Sequence, residues 1–127
     1  MLDDWYDAAD KGDGQRYFSY FADDAIFLGT DPDERWALPE FRARFASFFD
    51  GHHAWTYVPK ERHVLFSEDH ETGWFDEKLV SPKYGLLRGT GVVIRVRGKW
   101  KIEQYSLTLL IPNAATKKVM EALKTQD

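Results

Sequence analysis

Residues 85–112 read GLLRGTGVVIRVRGKWKIEQYSLTLLIP. Two runs rich in Val, Ile, Leu, Thr and Tyr flank a polar break at Arg97-Gly98-Lys99. Such residues suit a pleated surface, and a short glycine-containing break joins antiparallel strands. The stretch predicts a long β-hairpin. With Val96 opposite Trp100 across a three-residue turn, Ile94 faces Ile102, Val92 faces Gln104, Thr90 faces Ser106 and Arg88 faces Thr108. That face is apolar near the turn and polar at the far end. The alternate face pairs Arg95 with Lys101, Val93 with Glu103, Gly91 with Tyr105, Gly89 with Leu107 and Leu87 with Leu109, and runs the opposite way. A β-bulge near Gln104-Tyr105 would exchange the two faces. The favoured expectation is instead a sheet buried on both sides at one end. Tyr105, Leu107 and Leu109 would then meet a partner subunit, with glycines opposite Tyr105 and Leu107 allowing close approach.

Outward from the hairpin, residues 2–11 predict a short helix with Leu2, Trp5, Ala8 and Ala9 on one side, broken by Gly12 and Gly14. Residues 15–22 predict a second helix and 25–29 a strand. Residues 30–34 (TDPDE) form a loop. Residues 39–49 predict the clearest helix: Pro39 fits its first turn, and Phe41, Phe45, Phe48 and Phe49 make a stripe. Strands follow at 54–58, 62–66 and 72–79, with a polar turn at 68–71. Asn113 is placed to cap a last helix. Helices first and an antiparallel meander afterwards predict an α+β fold, one domain over 1–127, with helices on one face of a curved sheet.

The 127 residues carry a net charge of -4, no cysteine, and 16% aromatic residues: five Trp, six Tyr and nine Phe. No disulfide framework or thiolate chemistry is available. No apolar run approaches the roughly 18 residues of a membrane helix. Met1-Leu2-Asp3-Asp4 lacks the features of a signal peptide. The expectation is a cytoplasmic protein with no membrane or nucleic-acid partner, the latter because no basic footprint stands out. The cations around the hairpin turn read as a solvated strand end.

The segments FADDAIFLGTDPDERWALPEF (21–41), WTYVPKERHV (55–64), GWFDEKL (73–79) and GLLRGTGVVIRVRGKWKIEQYSLTLLIPN (85–113) resemble the SnoaL-like branch of the NTF2-like superfamily. The resemblance implies a cone: a curved antiparallel sheet wraps the N-terminal helices and encloses a pocket. It also implies a homodimer through the outer sheet face. The superfamily holds isomerases, dehydratases, cyclases, hydrolases and non-catalytic binders, so the fold does not choose a reaction.

Asp76, Arg88 and Gln104 sit on predicted strands among apolar neighbours. If they converge on the cavity, Asp76 is the candidate base or anchor and Arg88 fixes an anionic or carbonyl group. The alternative is a buried structural network. Isomerase chemistry would take Asp31 or Asp76 as base and Tyr17, Tyr57 or Tyr105 as hydrogen-bond donor. Trp36 is a lid over the pocket or packs on the Phe41/Phe45 helix. Tyr17, Tyr57, Trp74, His63 and Gln104 complete the candidate ligand-binding set. His52 and His53 would point apart on a strand, and His63 with Glu61 is the only hint of a metal site, short of the three or four ligands one needs. Gly89-Thr90-Gly91 lacks the third glycine and following helix of a nucleotide loop. No metal and no cofactor is implied. The leading function is binding of a small, partly apolar organic ligand, with isomerase-, cyclase- or hydratase-like acid–base chemistry as its enzymatic form. The alternative is a dimeric interaction or regulatory module whose cavity its own aromatics fill.

Overall fold

The computed structural model describes residues 1–51 and 54–125. Two helices open the chain, α1 (Leu2–Lys11) and α2 (Gly14–Ser19), followed by β1 (Phe21–Leu28). The short strand β2 (Arg35–Ala37) runs directly into α3 (Leu38–Phe45). Then come β3 (Val58–Phe66), β4 (Thr72–Ser81), β5 (Gly85–Val96), β6 (Lys99–Leu109) and α4 (Thr116–Lys124). The six strands form one curved, unclosed sheet in the order β2-β1-β6-β5-β4-β3. All neighbours are antiparallel except β1 and β6, which run parallel. The α+β cone expected from sequence is the fold observed, with one parallel pair in its sheet.

α1 forms where the sequence placed it. Its apolar side (Leu2, Trp5, Tyr6, Ala8, Ala9) is buried against the sheet. Gly12 ends it at φ 69°, a left-handed conformation that costs glycine nothing. Asp13 caps α2 by accepting from the Arg16 amide. α3 is shorter than the expected 39–49. It tightens into a 3-10 turn over Ala46–Phe48, which leaves Phe49 stacked on Tyr17 at 4.6 Å. The two expected strand segments around 54–66 are one strand starting at Val58, with an irregularity between Lys60 and His63. Glu61 sits there at φ 44°. Asn113 makes no side-chain cap, and α4 buries none of its side chains.

The hairpin corrects the predicted register near its turn. Arg97 (φ 52°) and Gly98 (φ 78°) alone form a two-residue turn, closed by Val96 opposite Lys99. Both central residues at positive φ match the twist of the strands. Arg95 therefore faces Trp100, Ile94 faces Lys101 and Val93 faces Ile102. Beyond the register shift Val92 pairs with Gln104, and the predicted pairs from there to Arg88–Thr108 hold. Glu103 is the extra residue, a bulge beside the position proposed for one.

That bulge accounts for the exchange of faces. It brings Ile102, Tyr105 and Leu107 onto one surface, with Leu87, Gly89 and Val93 of β5, all buried. The expectation that Tyr105 and Leu107 meet a partner subunit is overturned: both point into the core and are 1% and 5% exposed. Leu109, at the same strand's end, is exposed. The facing glycines make room inside the molecule. A Cβ on Gly89 would stand 2.5 Å from the Tyr105 hydroxyl, and one on Gly91 would meet the Phe75 ring at 2.8 Å.

Candidate functional site

The concave side of the sheet and the helices over it enclose an open cavity of about 300 Å³. Among the described residues, twelve of the eighteen that line it are aromatic. This is where much of the chain's aromatic content goes. Some rings pack on one another to make the wall: Phe27 stacks on Phe41 at 4.2 Å, and Trp36 lies 6.0 Å from Phe41 and 5.2 Å from Phe45. Trp36 packs on α3, as its second reading has it, and also lines the cavity.

The buried end is made by Trp5, Tyr6, Tyr17 and Tyr105. Trp5 stacks on Tyr17 at 5.3 Å and meets Tyr105 edge-on at 4.7 Å. The hydroxyls of Tyr6 and Tyr105 share a hydrogen bond of 2.7 Å. One proton lies between them, so the accepting hydroxyl keeps its own proton to donate elsewhere. The indole Nε1 of Trp5 is buried and has no hydrogen-bond partner among the described residues. A buried donor left unpaired costs about 1–3 kcal/mol.

Burial pushes the hydroxyls of Tyr6 and Tyr17 well above their ordinary range, with neighbouring tyrosines adding to the rise. Tyr105 is raised mainly by burial; the hydrogen bond with Tyr6 opposes this, and the Glu77 charge adds to it. These hydroxyls stay protonated and act as donors or acceptors, not as acids.

Behind this end lies an ion pair built into the core. Glu77 is 1% exposed and is gripped by Arg62, Nε to Oε2 and Nη2 to Oε1 at 2.9 Å each. Arg62 also reaches Asp3 at 2.8 Å, and its guanidinium pKa is raised chiefly by the Glu77 hydrogen bond. The irregularity in β3 places Arg62 there, on the concave side, between Lys60 and His63 that pair with outward-facing residues of β4. A carboxylate in the run TGWFDEKLVS was legible as a candidate, but the alternation selects Glu77 and not Asp76.

At the rim stand Gly29, Thr30 and Glu34 from the β1–β2 connection, Trp55 and Tyr57 before β3, and Lys83 and Tyr84 between β4 and β5. Glu34 is held by the loop itself: its Oε1 accepts from the Asp31 amide at 3.0 Å. Gly29 has no Cβ to collide with that oxygen. Tyr57 is pushed up to about 12 by burial first, with Tyr84 and Glu34 contributing. Asp31 is exposed and accepts from the Asp33 amide at 3.0 Å, a turn role.

Of the predicted site residues, Tyr17, Trp36 and Tyr57 line the cavity. Asp76, Arg88, Gln104, Trp74 and His63 do not. All five are exposed, on the opposite face of the sheet. The strands alternate, so Asp76 opposite Thr90 and His63, Trp74 opposite Val92, and Arg88 opposite Lys78 all point outward while Phe75, Glu77 and Leu79 point inward. Trp5, Tyr6, Glu34 and Tyr105 line the cavity in their place. The sequence marks Tyr105 as a donor or a partner-facing residue and not as cavity wall, and Glu34 carries no signal beyond its place in a loop. His52 and His53 lie outside the described residues. Among the described residues, no group of three or more His, Cys, Asp or Glu is placed to hold a metal ion, and no helix is long and apolar enough to cross a membrane.

Helices cupped by a curved, bulged sheet make the NTF2-like cone. Solved structures share this fold. An NTF2-like protein of unknown function from Pseudomonas putida KT2440 is 12% identical, with a TM-score of 0.67 over 88% of this chain and 83% of that one. A candidate scytalone dehydratase from Novosphingobium aromaticivorans DSM 12444 is 13% identical, with a TM-score of 0.69 over 87% and 80%. A candidate calcium/calmodulin-dependent protein kinase II association domain from Xanthomonas campestris is 22% identical, with a TM-score of 0.64 over 86% and 82%. No curated protein matches the sequence. The model of the SnoaL-like domain matches residues 1–112, and the chain belongs to that family.

Proposed function

We propose that this domain binds a small, partly apolar organic molecule that carries an oxygen acceptor. The observation that carries the reading is the unpartnered Trp5 indole N–H beside the Tyr6–Tyr105 pair, at the buried end of an open aromatic cavity. All three residues line the cavity, an oxygen acceptor that reached the Trp5 N–H would satisfy it, and the surrounding rings supply apolar contact. The volume lies at the small end of the roughly 300–1,000 Å³ usual for ligand sites. This favours a ligand site over a cavity filled by its own aromatics.

Binding describes this site better than proton transfer. The tyrosines hold their protons tightly, and Glu77 is occupied by Arg62. A general base must lie within hydrogen-bond reach of the proton it takes, and Glu34 at the rim is the only carboxylate lining the cavity among the described residues.

Titration with 2-naphthol, followed by quenching of tryptophan fluorescence, tests the reading. Saturable quenching is expected. It should weaken in Tyr105→Phe and vanish in Ala54→Phe, which narrows the rim. Unsaturable quenching, or equal quenching in both variants, would rule the site out.

The domain works as a homodimer through the outer sheet face. Support comes from apolar side chains in rows there: Leu65, Trp74 and Val92 across β3–β5, and Val58, Val80 and Leu86 below them. Leu65 is 62% exposed and Trp74 46%, an uncommon cost for a face left in water. Trp74→Glu should halve the mass found by sedimentation equilibrium. A monomeric parent at micromolar concentration would sink the dimer.

A further inference from the structure

We propose that the rim of this cavity receives the methylated ammonium head of an organic cation, whose oxygen end reaches the Trp5–Tyr6–Tyr105 donors. The proposal rests on the reading of the cavity as a ligand site and names the ligand's class.

Three observations carry it. The first is the charge. Glu34 is the only carboxylate lining the cavity among the described residues. It is positioned by the Asp31 amide and by the missing Cβ of Gly29. None of the ion pairs among the described residues involves it, so its charge is left for something outside the fold. The second is the surround. Trp55, Tyr57 and Tyr84 share the rim with Glu34, and Trp36 lines the same cavity. The face of an aromatic ring is negative, and cations settle within about 6 Å of its centroid. The third is that rings here already carry cations. The Lys83 ammonium lies 5.1 Å from the Tyr84 centroid, and the Arg44 guanidinium 5.9 Å from that of Trp36.

The rim also selects among cations. A bare ammonium or guanidinium needs several hydrogen-bond acceptors when it leaves water, and among the described residues the rim side chains offer one carboxylate and the hydroxyls of Thr30, Tyr57 and Tyr84 among rings. A trimethylammonium group needs none, and aromatic surroundings replace its weak hydration. An anionic ligand would instead face Glu34, with Lys83 as the only cation lining the cavity among the described residues. Lys83 occupies the ground a ligand cation would take, so it acts as a competitor.

Isothermal titration with choline chloride and with 3,3-dimethylbutan-1-ol, its uncharged isostere, tests the proposal. Choline is expected to bind roughly tenfold more tightly, the advantage of a desolvated cation on aromatic faces. Glu34→Gln should remove most of that advantage and leave the alcohol unchanged. Lys83→Gln should tighten choline and not the alcohol, an opposite sign that a misfolded variant would not produce. Equal affinity for the two probes, or weaker choline binding in Lys83→Gln, would overturn the proposal. If the alcohol binds and choline does not, the cation falls and the ligand site stands. If neither binds, the cation falls as well, and the 2-naphthol titration decides the ligand site separately.

Discussion

The two faces of strands β4 to β6 are built from alternate residues of the same short sequences, yet they follow different rules. The concave face carries Phe75, Leu79, Leu87, Ile102, Tyr105 and Leu107, all buried, and a single charge, Glu77, held by two hydrogen-bonded contacts from Arg62. The convex face mixes Trp74, Val80 and Leu86 with Asp76, Lys78 and Arg88, all at least partly open to water. A charge tolerated on the first face must be paired, because desolvation makes an unpaired one costly. On the second, water reaches the charges of the single domain.

The largest test of that contrast removes one partner from an ion pair on each face. Arg62→Met leaves Glu77 buried and uncompensated, with an expected loss of about 3–5 kcal/mol. Lys78→Met breaks the exposed pair with Glu61 (3.4 Å) and should cost about 0–1 kcal/mol. Urea unfolding of both variants gives the comparison directly. Equal losses would mean that the faces are not distinct environments.

Alkaline pH probes the concave side next. The Tyr57 hydroxyl rises from an ordinary value of 10.0 to about 12, and Tyr6, Tyr17 and Tyr105 rise with it. A folded-state pKa raised above the unfolded one favours the fold fully below pH 10. That support is lost as pH climbs through the folded value. For Tyr57 the loss amounts to on the order of 2–3 kcal/mol by pH 12. Tyrosinate absorbance should therefore grow together with loss of circular dichroism above pH 10, and Tyr57→Phe should flatten part of the slope. Ionisation of these tyrosines with the fold intact would show that the cavity is wetter than its rings suggest. Gly89→Ala comes next in size. Its Cβ would press on the Tyr105 hydroxyl and on Leu79, 3.2 Å away. Overpacking of this kind costs about 1–3 kcal/mol, and 2-naphthol binding should weaken with it.

Much of the cone was legible because hydrophobic period and turn chemistry are local properties. α1, the glycine break after it, the polar loop at 30–34 and the far half of the hairpin all follow from neighbours in the chain. The near half of the hairpin did not, because Arg97 accepts a positive φ that a non-glycine residue seldom adopts. One bulged residue, Glu103, shifts the pairs between it and the turn, while the pairs beyond it hold. The site suffered most from the choice of which sheet face points inward. Asp76 and Glu77 are adjacent, so an error of one position in which residues face inward trades a surface carboxylate for the buried one. Trp5 and Tyr6 were read as helix and not as cavity, since what α1 packs against lies a hundred residues away, at Tyr105. Tyr17, Trp36 and Tyr57 survived because an aromatic at the edge of a core is also the wall of whatever space the core leaves open.

The smallest expected effect falls on Asp76 and Arg88, the pair whose polarity stands out most in the sequence. On the convex face neither side chain reaches the cavity, and the whole thickness of the sheet separates them from Tyr105 and Glu77. Substitutions at exposed positions without buried partners usually stay within about 0.5 kcal/mol. Asp76→Asn and Arg88→Ala should therefore leave both the urea midpoint and the 2-naphthol affinity unchanged. The measurement belongs in the Trp74→Glu background, where the convex face stays in water and no dimer contact enters the result. A several-fold loss of 2-naphthol affinity in either variant would mean that the convex face acts on the cavity through the strands. The separation of the two faces, on which the assignment of Trp5, Tyr6, Glu34 and Tyr105 depends, would then have to be given up.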